Sequence, residues 1–148
     1  MADDVGDQIA IELASNLTEL LDLPAAMRFR TPVEVTKEAG LVVSTYHGGD
    51  TETVRDRAAN EIEYTIVVAV QKKLINKELS EQTTECLALL KHCTEIKKLF
   101  RGSGALRETR LAGCAYSGTE HSPRWDDDHL ERLAQFTSMI LITFKGWS

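Results

Sequence analysis

Residues 61–72 read EIEYTIVVAVQK, and their alternation decides the fold. Ile62, Tyr64, Ile66, Val68 and Val70 fall on one side of an extended chain. Glu61, Glu63, Thr65, Val67, Ala69 and Gln71 fall on the other. Side chains of a strand point alternately to its two faces, so this period of two predicts a strand buried on one side against something apolar. The stretch Phe136–Trp147 (FTSMILITFKGW) repeats the signature, with Phe136, Ile140, Ile142 and Phe144 on one face. Leu41–His47 (LVVSTYH) is rich in β-branched and aromatic residues and reads as a third strand.

Two further segments alternate less cleanly. Met27, Phe29, Thr31, Val33 and Val35 oppose Arg28, Arg30, Pro32 and Glu34. Pro32 has no N–H for a ladder, so residues 27–35 predict an edge strand or one with an irregular end. Lys37–Gly40 is a turn. Arg110–Ser117 (RLAGCAYS) is a weak strand, interrupted by Gly113.

Helical periodicity appears in three places. In residues 4–22, Ile9, Leu13, Leu17 and Leu20, with Leu21 beside them, make one stripe. Asp3 or Asp4 can cap it, Asp7 suits the positive end of the helix dipole, and Pro24 ends it. In residues 78–101, Leu79, Cys86, Leu89, Leu90, Cys93, Ile96 and Phe100 recur at helical spacing. Ser80 is the expected N-cap there, Lys97, Lys98 and Arg101 sit in the last turn, and Gly102 follows. Residues 126–135 predict a short helix with Leu130 and Leu133 inward, after a loop over 118–125 that holds Pro123.

The order is helix, three strands, helix, strand, short helix, strand. No βαβ repeat runs along the chain. The expected fold is α+β: a mainly antiparallel sheet of about four to five strands with two main helices packed on one face. No repeat, low-complexity segment or linker divides residues 1–148, which read as one domain.

Composition narrows the function classes. Apolar residues make up 43% and charged residues 27% of the 148, the balance of a globular domain. The longest apolar run is Ile66–Val70, against about 20 residues for a membrane span. The N-terminal MADDVGDQ has neither a basic nor an apolar region, so no secretory signal is expected. The formal net charge of -6 argues against a phosphate-gripping nucleic-acid binder, while leaving room for a local basic patch.

No catalytic motif stands out. Cys86 and Cys93 are seven residues apart on one helix, about 10.5 Å, too far for a disulfide. Cys114 completes an odd set without CxxC spacing, so three reduced cysteines acting as small hydrophobes are expected. His92 and Cys93 diverge by about 100° around a helix and do not form a dyad. Gly102-Ser103-Gly104 ends a helix, so it lacks the N-terminal amides that hold phosphate. His121 and His129 flank Asp126, Asp127 and Asp128, a set that could hold a divalent metal. The simpler reading has Asp126 capping a helix with Asp127 and Asp128 in its first turn. No catalytic, metal or cofactor residue is therefore assigned.

Two features point to an interface. Gly48–Asn60 (GGDTETVRDRAAN) is a long polar stretch with both charge signs interleaved: Asp50, Glu52, Arg55, Asp56 and Arg57. Loops this long are usually functional or disordered, so an arm projecting at about 48–60 is either a docking arm or a solvated loop. The chain also finishes on a strand carrying Trp147, a residue type enriched at interface hot spots. That residue either contacts a partner or folds back on its own core.

Three segments resemble a known family: RDRAANEIEYTIVVAVQKKL (Arg55–Leu74), EHSPRWDDDHLERLAQ (Glu120–Gln135) and FTSMILITFKGW (Phe136–Trp147). Their order and spacing resemble the tail-terminator, or tail-completion, neck proteins of tailed bacteriophages. The resemblance implies a mixed domain of a sheet with flanking helices and no enzymatic activity or cofactor. It implies a homo-hexameric ring that caps the tail tube, ends its polymerisation and offers the head a docking surface. The implied partners are further copies of the chain, the major tail tube protein and a head-completion or connector protein. DNA would pass through the lumen without specific binding. The implied place is the virion neck, after synthesis in the host cytoplasm. Arg55 and Arg57 would then pair with a neighbouring subunit or the tube. Alternatives are a head-completion, connector or minor tail protein, a monomeric binding module, and a small cytosolic metal-dependent enzyme using the His121, Asp126–Asp128, His129 set.

Overall fold

The computed structural model describes residues 4–29, 34–55, 59–75 and 78–147. Its elements are α1 (Val5–Leu21), β1 (Ala25–Met27), β2 (Val42–Val54), β3 (Asn60–Lys73), α2 (Leu79–Lys98), β4 (Ala115–His121), α3 (Asp127–Leu133) and β5 (Gln135–Trp147). The five strands form one sheet in the order β1-β2-β3-β5-β4. Only the β1–β2 pair is parallel, so the fold is α+β with a mixed, mainly antiparallel sheet.

The two strands with the clearest alternation are the centre of this sheet. β3 and β5 pair along their whole length, from Glu61↔Trp147 to Lys73↔Gln135. Tyr64 lies opposite Phe144, Ile66 opposite Ile142 and Val68 opposite Ile140, so the apolar positions of both strands share one face. That face is covered by α1 through Ile9, Leu13 and Leu17, and by α2 through Cys93 and Ile96, in one core with Val43 and Phe100. A smaller cluster of Leu74, Leu89 and Phe136 closes the lower end of α2.

α1 starts at Asp4, whose carboxylate accepts the Asp7 N–H at 2.9 Å. It stops at Asp22 in the left-handed region, and the Thr45 hydroxyl donates to the Ala10 carbonyl at 2.7 Å, tying the helix to β2. Leu20 does not join the stripe: it is exposed, and Ala10 and Ala14 are buried instead. The start of α2 also departs from expectation. Its N-cap is Glu78 and not Ser80, and Leu79 is 81% exposed, the buried residues of the helix being Leu89, Cys93 and Ile96 in its later turns.

The opposite face of the sheet has a polar lower half. Gln135 is fully buried there, accepting the Val35 N–H at 2.7 Å and donating to the Thr137 hydroxyl at 3.0 Å. His129 of α3 faces the same hydroxyl at 2.8 Å.

Three strand expectations are corrected. Among the described residues the first strand is Ala25–Met27; Arg28 still donates its N–H to Thr45, Glu34 and Val35 belong to no strand, and residues 30–33 of the expected strand lie outside the described residues. The weak strand is Ala115–His121, shifted beyond Gly113, because Leu111 and Cys114 bridge each other in a tight turn. Most of the polar stretch from Gly48 is strand, since β2 runs to Val54 and β3 resumes at Asn60.

Candidate functional site

The upper corner of the β2–β3 hairpin carries the interface candidates. A bulge at Gly48 shifts the register between His47 and Gly49. Beyond it Asp50 lies opposite Tyr64 and Glu52 opposite Ile62, so both carboxylates are on the helix-covered face at its outer edge. Glu52 accepts from the Asn60 amide at 2.7 Å. Arg55 is turned back onto its own hairpin, pairing with Glu61 at 2.6 Å, and Lys145 stands 3.9 Å from the same carboxylate. The hydrogen bond from Arg55 holds the Glu61 carboxyl below its ordinary range. Asp56 and Arg57 lie outside the described residues. Trp147 ends β5 opposite Glu61 and is 64% exposed, so it does not fold back on the core.

Beside this corner, His47 fits against the N-terminus of α1. Its Nδ1 is 2.9 Å from Asp4 and its Nε2 is 3.2 Å from Asp50 and 3.0 Å from the Gly49 carbonyl oxygen. Gly6 makes the space, since a Cβ there would stand 2.2 Å from the imidazole Nδ1. Asp4, Asp7 and His47 are the one group of three such ligand types within 4.8 Å among the described residues. Both ring nitrogens already face oxygen partners and Asp4 already caps the helix, so the group is complete as a helix anchor.

The set His121, Asp126–Asp128, His129 is not assembled as a ligand cluster. Asp126 caps α3 through the His129 N–H at 3.0 Å, and Asp128 pairs with Arg132 at 2.9 Å. His121 is turned the other way, between Lys97 Nζ at 3.0 Å from its Nδ1 and the Ser138 hydroxyl at 2.6 Å from its Nε2. A lysine ammonium only donates, so Nδ1 accepts and Nε2 carries the proton given to Ser138. That polarity is opposite to the one in which an imidazole takes a proton from a serine nucleophile. Burial, then the charges of Lys97 and Arg124, push the His121 pKa down to about 4.

His121 is part of a feature that the sequence did not expose. Lys97 of α2 and Arg101 just after it line a cleft of about 360 Å³ with Tyr116, Thr119 and His121 of β4. Arg107 lies over the Tyr116 ring, 5.6 Å from its centre. In a chain with a formal charge of -6 this is a concentrated cationic edge. Lys97 and Arg101 sit in and just beyond the last turn of α2, where the dipole favours cations. Only the pairing of β4 with β5 brings them beside residues 116–121. A separate apolar groove of about 310 Å³ lies between α2 and the 124–130 segment, with Leu79, Leu87 and Trp125 at its rim.

No family model matches the chain, and no curated protein matches its sequence. No helix among the described residues is long and apolar enough to cross a membrane.

Proposed function

We propose that the chain is a structural protein of the bacteriophage neck, of the tail-terminator kind, acting by self-association and docking. The observation that carries this reading is the coherence of the three resembling segments. Arg55–Leu74 supplies β3 and Phe136–Trp147 all of β5 after Gln135, two strands that pair along their length in the middle of the sheet, and Glu120–Gln135 supplies the end of β4 and α3, which lead into β5. Two further features support it. The upper corner presents Asp50, Glu52 and an exposed Trp147. A head-to-tail ring also needs two unlike surfaces on each subunit, and the acidic corner and the cationic cleft are unlike.

On this reading the ring caps the tail tube and gives the head a docking surface, with DNA passing through. The chain's net negative charge suits a channel that phosphates must traverse without being held. The test is to mix the purified protein with tubes grown from the tail-tube protein of the same genome and image them by negative stain. The expected result is rings seated on tube ends, with tubes that stop lengthening. Bare ends and unchanged growth would remove the proposal.

A further inference from the structure

The two outer edges of the sheet differ in charge and match in geometry. Among the described residues, β1 covers β2 at Val43–Thr45, and beyond the bulge residues 49–54 pair with β3 alone. At the other side, β4 pairs with β5 and, among the described residues, has no strand beyond it. Open edges of this kind are templates for another strand.

Direction follows from the ladders. β2 is antiparallel to β3, β3 to β5, and β5 to β4, so β2 and β4 run in opposite senses. A second copy that continues the sheet with its faces preserved therefore lays β2 antiparallel to β4, the geometry a ladder accepts most readily. The heights agree as well. Tyr116 pairs with Phe144, Phe144 with Tyr64, and Tyr64 with Asp50, so Tyr116 and Asp50 occupy the same row. By the same count Thr119 is level with His47 and Ala115 with Thr51.

Charge completes the match. Asp50 and Glu52 stand on the helix-covered face at one edge, with Asp4 and Asp7 beside them. Lys97, Arg101 and Arg107 stand by the same face at the other edge, around Tyr116. Among the described residues none of these three cations lies within 4.0 Å of a carboxylate. The helix dipole accounts for Lys97 and Arg101 being cationic. It does not account for Arg107 or for the place of β4 at the edge of the sheet.

We infer that the occupant of the β4 edge is a second copy of this chain, whose β2 edge pairs antiparallel with β4 while Asp50 and Glu52 approach the Lys97–Arg101 cleft and Arg107 over Tyr116 beside it. The contact is heterologous, so a joined pair keeps one free edge of each kind and the assembly grows until it closes. The inference rests on the self-assembling reading above and names the contact through which the ring forms.

The test uses two full-length variants, Asp50→Lys with Glu52→Lys, and Lys97→Glu with Arg101→Glu. Each repels itself at the proposed contact. In an equal mixture every contact again joins opposite charges. Sedimentation velocity of the unaltered chain is expected to show oligomers. Each variant alone is expected to associate about tenfold or more weakly, and the mixture to recover species with even numbers of subunits. Circular dichroism checks that each variant is folded, and a salt series on the unaltered chain gives a reading free of substitution. Rising salt is expected to dissociate the oligomer, where an apolar contact would tighten. A monomeric wild-type chain, variants that associate normally, or a mixture that fails to recover would each overturn the contact. If rings still cap tubes while the variants associate normally, the edge pairing is wrong and the neck reading stands.

Discussion

Gly6 shows how one residue's environment can reverse a general rule. A glycine inside a helix ordinarily gains about 1 kcal/mol on replacement by alanine. Here the new Cβ would stand 2.2 Å from His47 Nδ1, and the ring is held on both sides by Asp4 and Asp50. Gly6→Ala is therefore expected to destabilise the fold by about 1–3 kcal/mol in urea unfolding. In the Gly6→Ala/His47→Ala double variant the loss should be smaller than the sum of the two single losses. Additive losses would mean that the ring does not occupy that space. His121 makes a different prediction, in pH. The unfolded chain protonates this histidine below about its ordinary 6.5, while the folded chain declines the proton until about 4. Protons thus favour the unfolded state between those values, and stability should fall as pH drops through that window. His121→Gln is expected to flatten this dependence between neutral pH and pH 5. The carboxyls of Glu34, Glu61 and Asp128, each lowered first by a hydrogen bond to a cation, add a loss of the same sign at lower pH.

At the scale of elements, burial and not periodicity decides which positions matter. The helical stripe of α2 joins Leu79 to Ile96, yet Leu79 is 81% exposed and Ile96 is fully buried among Cys93, Phe100 and Ile140. Ile96→Ala should cost about 2–5 kcal/mol, and Leu79→Ser should stay within about 0.5 kcal/mol, both read from denaturant midpoints. A large loss at Leu79 would place that turn against the core. The same contrast explains what the sequence revealed. β3 and β5 were legible because one of their faces is a continuous apolar row, from Tyr64 to Val70 and from Ile140 to Phe144. The upper half of β2 was not, because Asp50, Thr51, Glu52 and Thr53 are held by the ladder to β3 and bury little. β4 was misplaced because Gly113 and Gly118 break its pattern and both its faces are half covered. The carboxylates of the acidic corner could be named from sequence, being neighbours in it. The cationic cleft could not, because Lys97 and Arg101 meet residues 116–121 only through sheet order.

At the scale of the whole molecule, stability and assembly should separate, and Trp147 is where to divide them. It closes β5 at the row of Glu61 and Thr53, two positions above Lys145, where β4 begins pairing with Ala115. The end of β5 therefore stands above the reach of β4, at the height where a second copy's β2 corner would arrive. Its side chain is 64% exposed and absent from the buried core, so removing it forfeits little within one chain. An aromatic side chain left in water gains most when a partner covers it, which is why such residues dominate interface energetics. Trp147→Ala is expected to leave the urea midpoint within about 0.5 kcal/mol of the unaltered chain. It is expected to weaken self-association about tenfold or more, the loss of more than 1 kcal/mol that marks an interface anchor. Sedimentation velocity across a concentration series measures the second quantity and chemical unfolding the first. A variant that loses stability while associating normally would reverse this assignment, making Trp147 a residue of the fold and moving the contact elsewhere on the sheet.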